Sequence, residues 1–282
     1  MGEAGEPGGR PAGRGSAAGR YAAAELMDFA RELALGAGEL TLSHFGDVLA
    51  AETKADGTPV TRADREAEAF LRGEIGRRFP GHSILGEEFG EERGDEAVRW
   101  ILDPIDGTRS FMKGVPLYAV LVGVEIAGAP VAGVVHLPAL GETVAAARGE
   151  GCRWWPSGGG PPRDARVSST GALADATALV TDPAALPVSR VGAGWAGLSG
   201  EVSLVRGWGD AYGHILVATG RAEIMVDPAL SPWDAAPLLP VVTEAGGRFT
   251  DLEGRATIRG GSGVSTNGRL HRAVLRRLAR RD

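Results

Sequence analysis

"WILDPIDGTRSF", Trp100 to Phe111, ends an apolar run with two aspartates three residues apart, holds them around a proline and follows them with Gly-Thr. A strand would deliver Asp103 to its carboxyl end. Pro104 fixes its own φ and biases Asp103 toward an extended conformation, so the chain turns sharply and can bring Asp103 and Asp106 to one side. Gly107 and Thr108 would then open a short helix, whose free amides and hydroxyl suit a phosphate oxygen. The plainer alternative is a turn in which Asp106 only caps a helix.

Two further stretches carry acids at similar places. "LGEEFG" puts Glu87 and Glu88 after another short strand, and "SPWDAAP" puts Asp234 at a helix start just after an apolar run. Taken singly, a solvated loop and an N-cap account for them. Together, Glu87, Asp103, Asp106 and Asp234 make four negative charges with only Arg109 nearby in sequence, and clustered carboxylates in a partly desolvated site need cations or protons. Hard oxygen ligands without a Cys/His cluster favour Mg²⁺ over zinc. Two such ions could clamp the attacking water and the leaving oxygen of a phosphoryl displacement, so metal-assisted phosphate-ester hydrolysis is the indicated reaction.

The bulk properties agree with a small-molecule enzyme. The 282 residues suffice for one large domain or two packed subdomains. A net charge of -6 argues against a nucleic-acid or anionic-membrane surface. The single cysteine, Cys152, cannot form an internal disulfide, and no run approaches the roughly 18 apolar residues of a membrane span, which reads as cytoplasmic. Residues 1–20, rich in Gly, Ala, Pro and Arg, read as a disordered leader. A homodimer is left open.

Apolar residues at helical spacing predict a first helix over Tyr21 to Phe45, carried by Leu26, Phe29, Ala30 and Leu33, then Leu40 and Leu42. A second helix starts at Thr61, with Asp64 three residues on, and runs to Phe79 before Pro80-Gly81. Tyr118 to Trp155 reads as a meander of short strands, mainly antiparallel. The Gly/Pro-rich "PSGGGPPRDAR" divides an N-terminal α+β subdomain, 21–155, from a C-terminal α/β subdomain, 156–282. The second half alternates strands and helices and closes with a basic helix from Gly268 to Arg281, read as a solvated face. Mixed strands and helices in both halves suggest sheets layered between helices.

"GEE", "DPIDGT" and "WDAA" followed by "EAGG", in this order and spacing, resemble the inositol monophosphatase superfamily of Mg²⁺-dependent phosphatases, from about Tyr21 to the C-terminus. The resemblance implies an α+β fold, the layered α-β-α-β-α sandwich shared with fructose-1,6-bisphosphatase. It implies that Glu87, Asp103, the Ile105 carbonyl, Asp106 and Asp234 hold two or three Mg²⁺ ions, and that Glu87 and Thr108 orient the nucleophilic water. Asp64 in "VTRAD" matches an acid that contributes through water or to a third metal, with Lys54 in the preceding loop. Their plainer readings are a capping acid and a solvent-facing lysine. The amides of Gly107 and Thr108 would hold the phosphate.

Selectivity is expected downstream. "RGWGDAYGHILVATGRAEIMVDP" matches the family segment that contacts the alcohol, through Gly209, Asp210, Ala211 and Asp227, with Asp234 beside them. Asp210 stands where inositol phosphatases place a small neutral residue, and a carboxylate suits an ammonium rather than a polyol. "GWGDAYGHILVATG" is similar to the histidinol-phosphatase branch, as is Arg206. The alternatives are an N-cap for Asp210 and a surface strand residue for Arg206. The expected reaction is hydrolysis of L-histidinol phosphate. The rivals are an inositol or other sugar phosphate as substrate, or a non-catalytic binding protein. The five histidines have no ligand spacing and are read as core or surface residues.

Overall fold

The computed structural model describes residues 21–46, 52–54 and 59–280. The expected leader, 1–20, lies outside the described residues, as does Arg281. The first half contributes α1 (Ala23–His44), β1 (Glu52–Thr53), β2 (Pro59–Val60), α2 (Arg62–Arg78), β3 (Ser83–Gly86), β4 (Gly90–Glu92), β5 (Val98–Asp106) and α3 (Thr108–Met112). A meander follows: β6 (Ala119–Ile126), β7 (Ala129–Leu137), β8 (Glu142–Ala147), β9 (Gly151–Trp155) and β10 (Arg163–Asp164). The second half is β11 (Thr177–Val180), α4 (Gly192–Ser199), β12 (Leu204–Arg206), α5 (Asp210–Ala218), β13 (Ile224–Asp227), α6 (Pro232–Glu244), β14 (Arg248–Thr250), β15 (Gly263–Thr266) and α7 (His271–Leu278).

Alternation along the strands builds two main sheets buried on both faces, while β1 and β2 form a separate two-stranded ribbon. The larger has the order β10-β9-β8-β7-β6-β5-β3-β4, and the smaller β12-β11-β13-β15-β14. On one face of the large sheet, Trp100, Leu102, Val122 and Val134 meet Leu26, Leu33, Leu71 and Ile75 of α1 and α2. On its other face, Ile101, Leu121, Val135 and Val144 meet Ile215 of α5 and Val241 and Val242 of α6. The small sheet packs Leu179 and Met225 on α5, and Val180, Ile224 and Val226 on α4 and α7. The expected α-β-α-β-α sandwich is thus observed, with α5 and α6 as the middle layer. No helix among the described residues is long and apolar enough to cross a membrane.

Details differ from the sequence expectation for local reasons. Leu42 is exposed, because it lies two residues from Leu40 and off the helical stripe, which Ala37, Gly38 and Thr41 continue instead. The large sheet is mainly antiparallel, as expected; the one parallel pair lies outside the meander, between β3 and β5, which β4 connects. The last helix begins at His271 rather than Gly268, since the Asn267 side chain takes up the Leu270 amide and holds a turn there. Helix α4 was not anticipated; its glycines weaken helix propensity, and it forms where Trp195 and Leu198 bury against α7.

Candidate active site

In a regular strand Asp103 and Asp106, three apart, would point to opposite faces. They do not, because β5 carries a bulge between them. Asp103 pairs with Leu121 and Asp106 with Ala119, three steps against two. Pro104 has no amide to give the ladder, and the Ile105 amide donates instead to Asp103 Oδ1 at 3.0 Å. The extra residue restores both carboxylates to one side. Asp234 reaches them from the first turn of α6, where Ser231 is the N-cap and Asp234 completes a capping box by accepting the Ser231 amide at 2.7 Å. Ligand oxygens of Asp103, Asp106 and Asp234 all lie within 4.8 Å of one another.

Such crowding sets the electrostatics. Burial, then the charges of Glu87, Asp106 and Asp234, hold the Asp103 carboxyl well above its ordinary range. Burial, then Asp210 and Asp234, do the same to Asp106, against the opposing hydrogen bond from Ala211. Asp234 is pushed up to about 7, mainly by burial, with the Ser231 amide pulling back and Glu87 adding to the rise. Buried carboxylates of one sign are stable as anions only beside a cation. The donor set is oxygen alone, and no Cys or His among the described residues lines the surrounding cavity, which fits a hard divalent ion.

Glu87 lines the same cavity of about 610 Å³ together with Asp103, Ile105, Asp106, Gly107 and Thr108. Its Oε1 accepts Lys54 Nζ at 2.7 Å, and Glu88 Oε1 accepts the same ammonium at 2.6 Å. Lys54 is therefore an internal counter-cation rather than a solvent-facing side chain. Burial opposes its charge, but the hydrogen bonds and charges of Glu87 and Glu88 hold it above its usual range. Asp64 is buried and accepts the Thr61 amide at 2.7 Å, so it caps α2; burial raises its carboxyl, and the charge of nearby Glu87 raises it further. Gly107, at φ +82°, turns the chain from β5 into α3. Thr108 Oγ1 donates to the Ile105 carbonyl at 3.1 Å.

The second half closes the cavity. Gly209 is the N-cap of α5, and the Ala211 amide donates to Asp106 Oδ2 at 2.7 Å. Asp210 lines the cavity at φ +53°, its amide held by Thr181 Oγ1 at 2.9 Å. Burial and Asp227 push its carboxyl up to about 6, against the pull of Arg109. Asp227 ends β13, buried, with Oδ2 3.2 Å from His214 Nε2, and does not line the cavity. Arg206 ends β12, exposed, with Nη1 on the neighbouring Val205 carbonyl at 2.8 Å, and is also outside the lining.

Sequence reasoning passed over two groups here: Thr181, which fixes Asp210, and Trp233, which lines the cavity; His214, read as a core or surface residue, is buried and holds Asp227. Only Trp233, adjacent to Asp234, carried a local signal.

Residues 22–281 match the model of the inositol monophosphatase family. The histidinol-phosphatase of Chlorobaculum parvum is 45% identical over 255 residues, spanning 88% of this chain and 95% of its own. The inositol-1-monophosphatase of Mesorhizobium japonicum is 34% identical over 264 residues, spanning 89% and 95%. The solved extragenic suppressor protein suhB from Bartonella henselae superposes with a TM-score of 0.83 at 31% identity, covering 90% of this chain and 98% of that one. A bulged acidic strand end, a capping-box aspartate facing it and a family match along almost the whole sequence lead to one statement: this chain belongs to the inositol monophosphatase family.

Proposed function

We propose that the chain is a Mg²⁺-dependent phosphomonoesterase that hydrolyses L-histidinol phosphate to L-histidinol and phosphate, in histidine biosynthesis. The observation that carries this reading is that Asp210 and the three clustered carboxylates open into one cavity. The greater identity to a histidinol-phosphatase than to an inositol-1-monophosphatase supports it. The single cysteine, Cys152, which can form no internal disulfide, supports a cytoplasmic setting.

Glu87, Asp103, Asp106, Asp234 and the Ile105 carbonyl would hold two or three Mg²⁺ ions. Bound there, such ions supply Lewis-acid polarisation of the phosphoryl group. The chain's own groups do the rest. The amides at the start of α3, including Gly107 and Thr108, have no partners within the helix and would take phosphate oxygens. Thr108 Oγ1 already donates its hydrogen to Ile105, so its lone pairs are left to accept from the attacking water, while a Glu87 oxygen accepts that water's other proton. Asp210, about 6, is ionised at neutral pH and would pair with the ammonium of the alcohol. Asp227, through its charge, and Ala211, through Asp106, set the surroundings of that contact.

A substrate panel tests the reading. With Mg²⁺ present, histidinol phosphate should be turned over with a higher kcat/KM than inositol 1-phosphate or fructose 1,6-bisphosphate. Equal or better turnover of either polyol ester would remove the histidinol assignment, and no phosphate release from any of them would return the chain to a binding role.

A further inference from the structure

Glu87 sits in the three-residue connection Glu87-Glu88-Phe89 of the β3–β4 hairpin, whose register pairs Gly86 with Gly90. Hairpin connections are ordinarily held by their own turn residues. This one is held from a different element. Glu68 of α2 is fully buried, and its Oε2 accepts the Glu88 amide at 2.7 Å while Oε1 accepts the Phe89 amide at 3.2 Å. Arg72, one turn further along α2, donates Nε to Glu68 Oε1 at 2.8 Å and Nη2 to the Gly90 carbonyl. On the opposite side, the Glu87 amide donates to the Leu102 carbonyl of β5, the residue before Asp103.

The amides of Glu87, Glu88 and Phe89 are thereby tied either to α2 or to the strand bearing the acidic bulge. The fit is close: a Cβ on Gly86 would collide with the Glu68 carboxylate. A buried ion pair is a poor device for stability alone, since apolar packing of the same volume does as well. It does fix position. Asp64, Glu68 and Arg72 form one i, i+4, i+8 stripe of α2, so the helix that supplies the capping acid also sets the hairpin connection.

We propose that Glu68, braced by Arg72, is a positioning residue that fixes how far the Glu87 carboxylate reaches into the acidic cavity, and so sets the affinity of the site for a divalent cation. This rests on the reading of Glu87 as a metal ligand. Glu68→Gln loses the charge and turns an NH₂ toward one of the two amides it now accepts.

The test is titration of the whole protein with Mg²⁺ by isothermal calorimetry, with Glu244→Gln as the matched control. Glu244 also receives two loop amides, from Gly149 and Gly151 at 3.1 Å each, but does not line the cavity. Glu68→Gln is expected to raise the Mg²⁺ dissociation constant about tenfold or more, in line with other outer-shell contacts. Its kcat should return to within about threefold of the wild type once Mg²⁺ is saturating, because the ligands themselves remain. Glu244→Gln should change only thermal stability. Wild-type affinity in Glu68→Gln overturns the proposal, as does equal weakening in both variants. Should Glu68→Gln fail to fold, Arg72→Lys, which keeps the charge but not the two-pronged hold, is read by the same criteria. A wild-type protein that binds no Mg²⁺ would instead refute the metal reading itself.

Discussion

The Ala211 amide donates a 2.7 Å hydrogen bond to Asp106 Oδ2, across 105 residues of sequence. The start of α5 is thus anchored on an acid of the large sheet, and Asp210 is carried to the cavity edge by the same contact. Substrate selectivity and the acidic cluster share one support.

Asp106→Asn separates the two duties of that support. Asparagine keeps an oxygen for the Ala211 amide and removes a charge that Asp210 and Asp234 oppose. The variant is expected to fold, with a far-UV circular dichroism spectrum like that of the wild type and no loss of melting temperature. Phosphatase turnover should fall by about a hundredfold or more, as when other preorganised electrostatic groups are removed. Retained turnover at saturating Mg²⁺ would defeat the assignment of Asp106 as a ligand.

Asp210 occupies the left-handed region at φ +53°, where a side chain is disfavoured and glycine is not. Asp210→Gly should therefore raise stability, by about 1 kcal/mol. The same change should raise KM for histidinol phosphate about tenfold or more, the order of one charge-assisted hydrogen bond, with little effect on a neutral aryl phosphate. A stability gain with equal KM changes for both esters would leave Asp210 a helix-start residue and nothing else.

The pair Glu125–Arg259 locks the loop before β15 to strand β6 through Nη1 and Nη2 of the guanidinium, each at 2.7 Å, with Glu125 almost wholly buried. Arg259→Ala leaves that carboxylate without its counter-charge. Because Arg259 itself is half exposed, a loss of about 1–3 kcal/mol in urea unfolding is expected, the cost of leaving the buried acceptor unpaired. Adding Glu125→Gln should recover part of it; no recovery would mean that Arg259 acts through packing rather than charge.

What could be read from sequence was local. The Thr61–Asp64 capping box is a three-residue spacing, and structure and sequence agree on it. The turn at Asp103-Pro104 was legible because proline constrains its neighbour, yet the reason both acids face one way, an added residue in the ladder against Ala119, depends on the partner strand. Lys54 reaches Glu87 over 33 residues and His214 meets Asp227 from another element, and neither contact leaves a spacing to detect. Asp210 was picked out for its charge, but its backbone strain and its tie to Thr181 are products of the assembled middle layer. Arg206 matched a motif and stands exposed at the edge of the small sheet, because β12 pairs only with β11 and leaves its outer side to solvent.

Acid crowding also fixes the pH response. Burial pushes Asp234 up to about 7 and Glu88 up to about 7, from ordinary values of 3.8 and 4.5. The folded chain then holds more protons than the unfolded one between these limits, so the stability these groups contribute is present at low pH and is lost as pH rises through about 7. His136 and His271, each lowered by burial to about 4, act oppositely: their contribution is present above pH 6.5 and lost as pH falls toward 4. The window from pH 6.5 to 8 isolates the carboxylates. Within it, melting temperature without divalent ions should decline. Mg²⁺ binds the ionised carboxylates, so the rise in melting temperature it produces should grow from pH 6.5 to 8, with protons released on binding at the lower end. Calorimetry in buffers of different ionisation enthalpy reads the proton release directly. A Mg²⁺-induced shift that is flat or shrinking across this window would mean that the ion does not meet Asp234 and its neighbours.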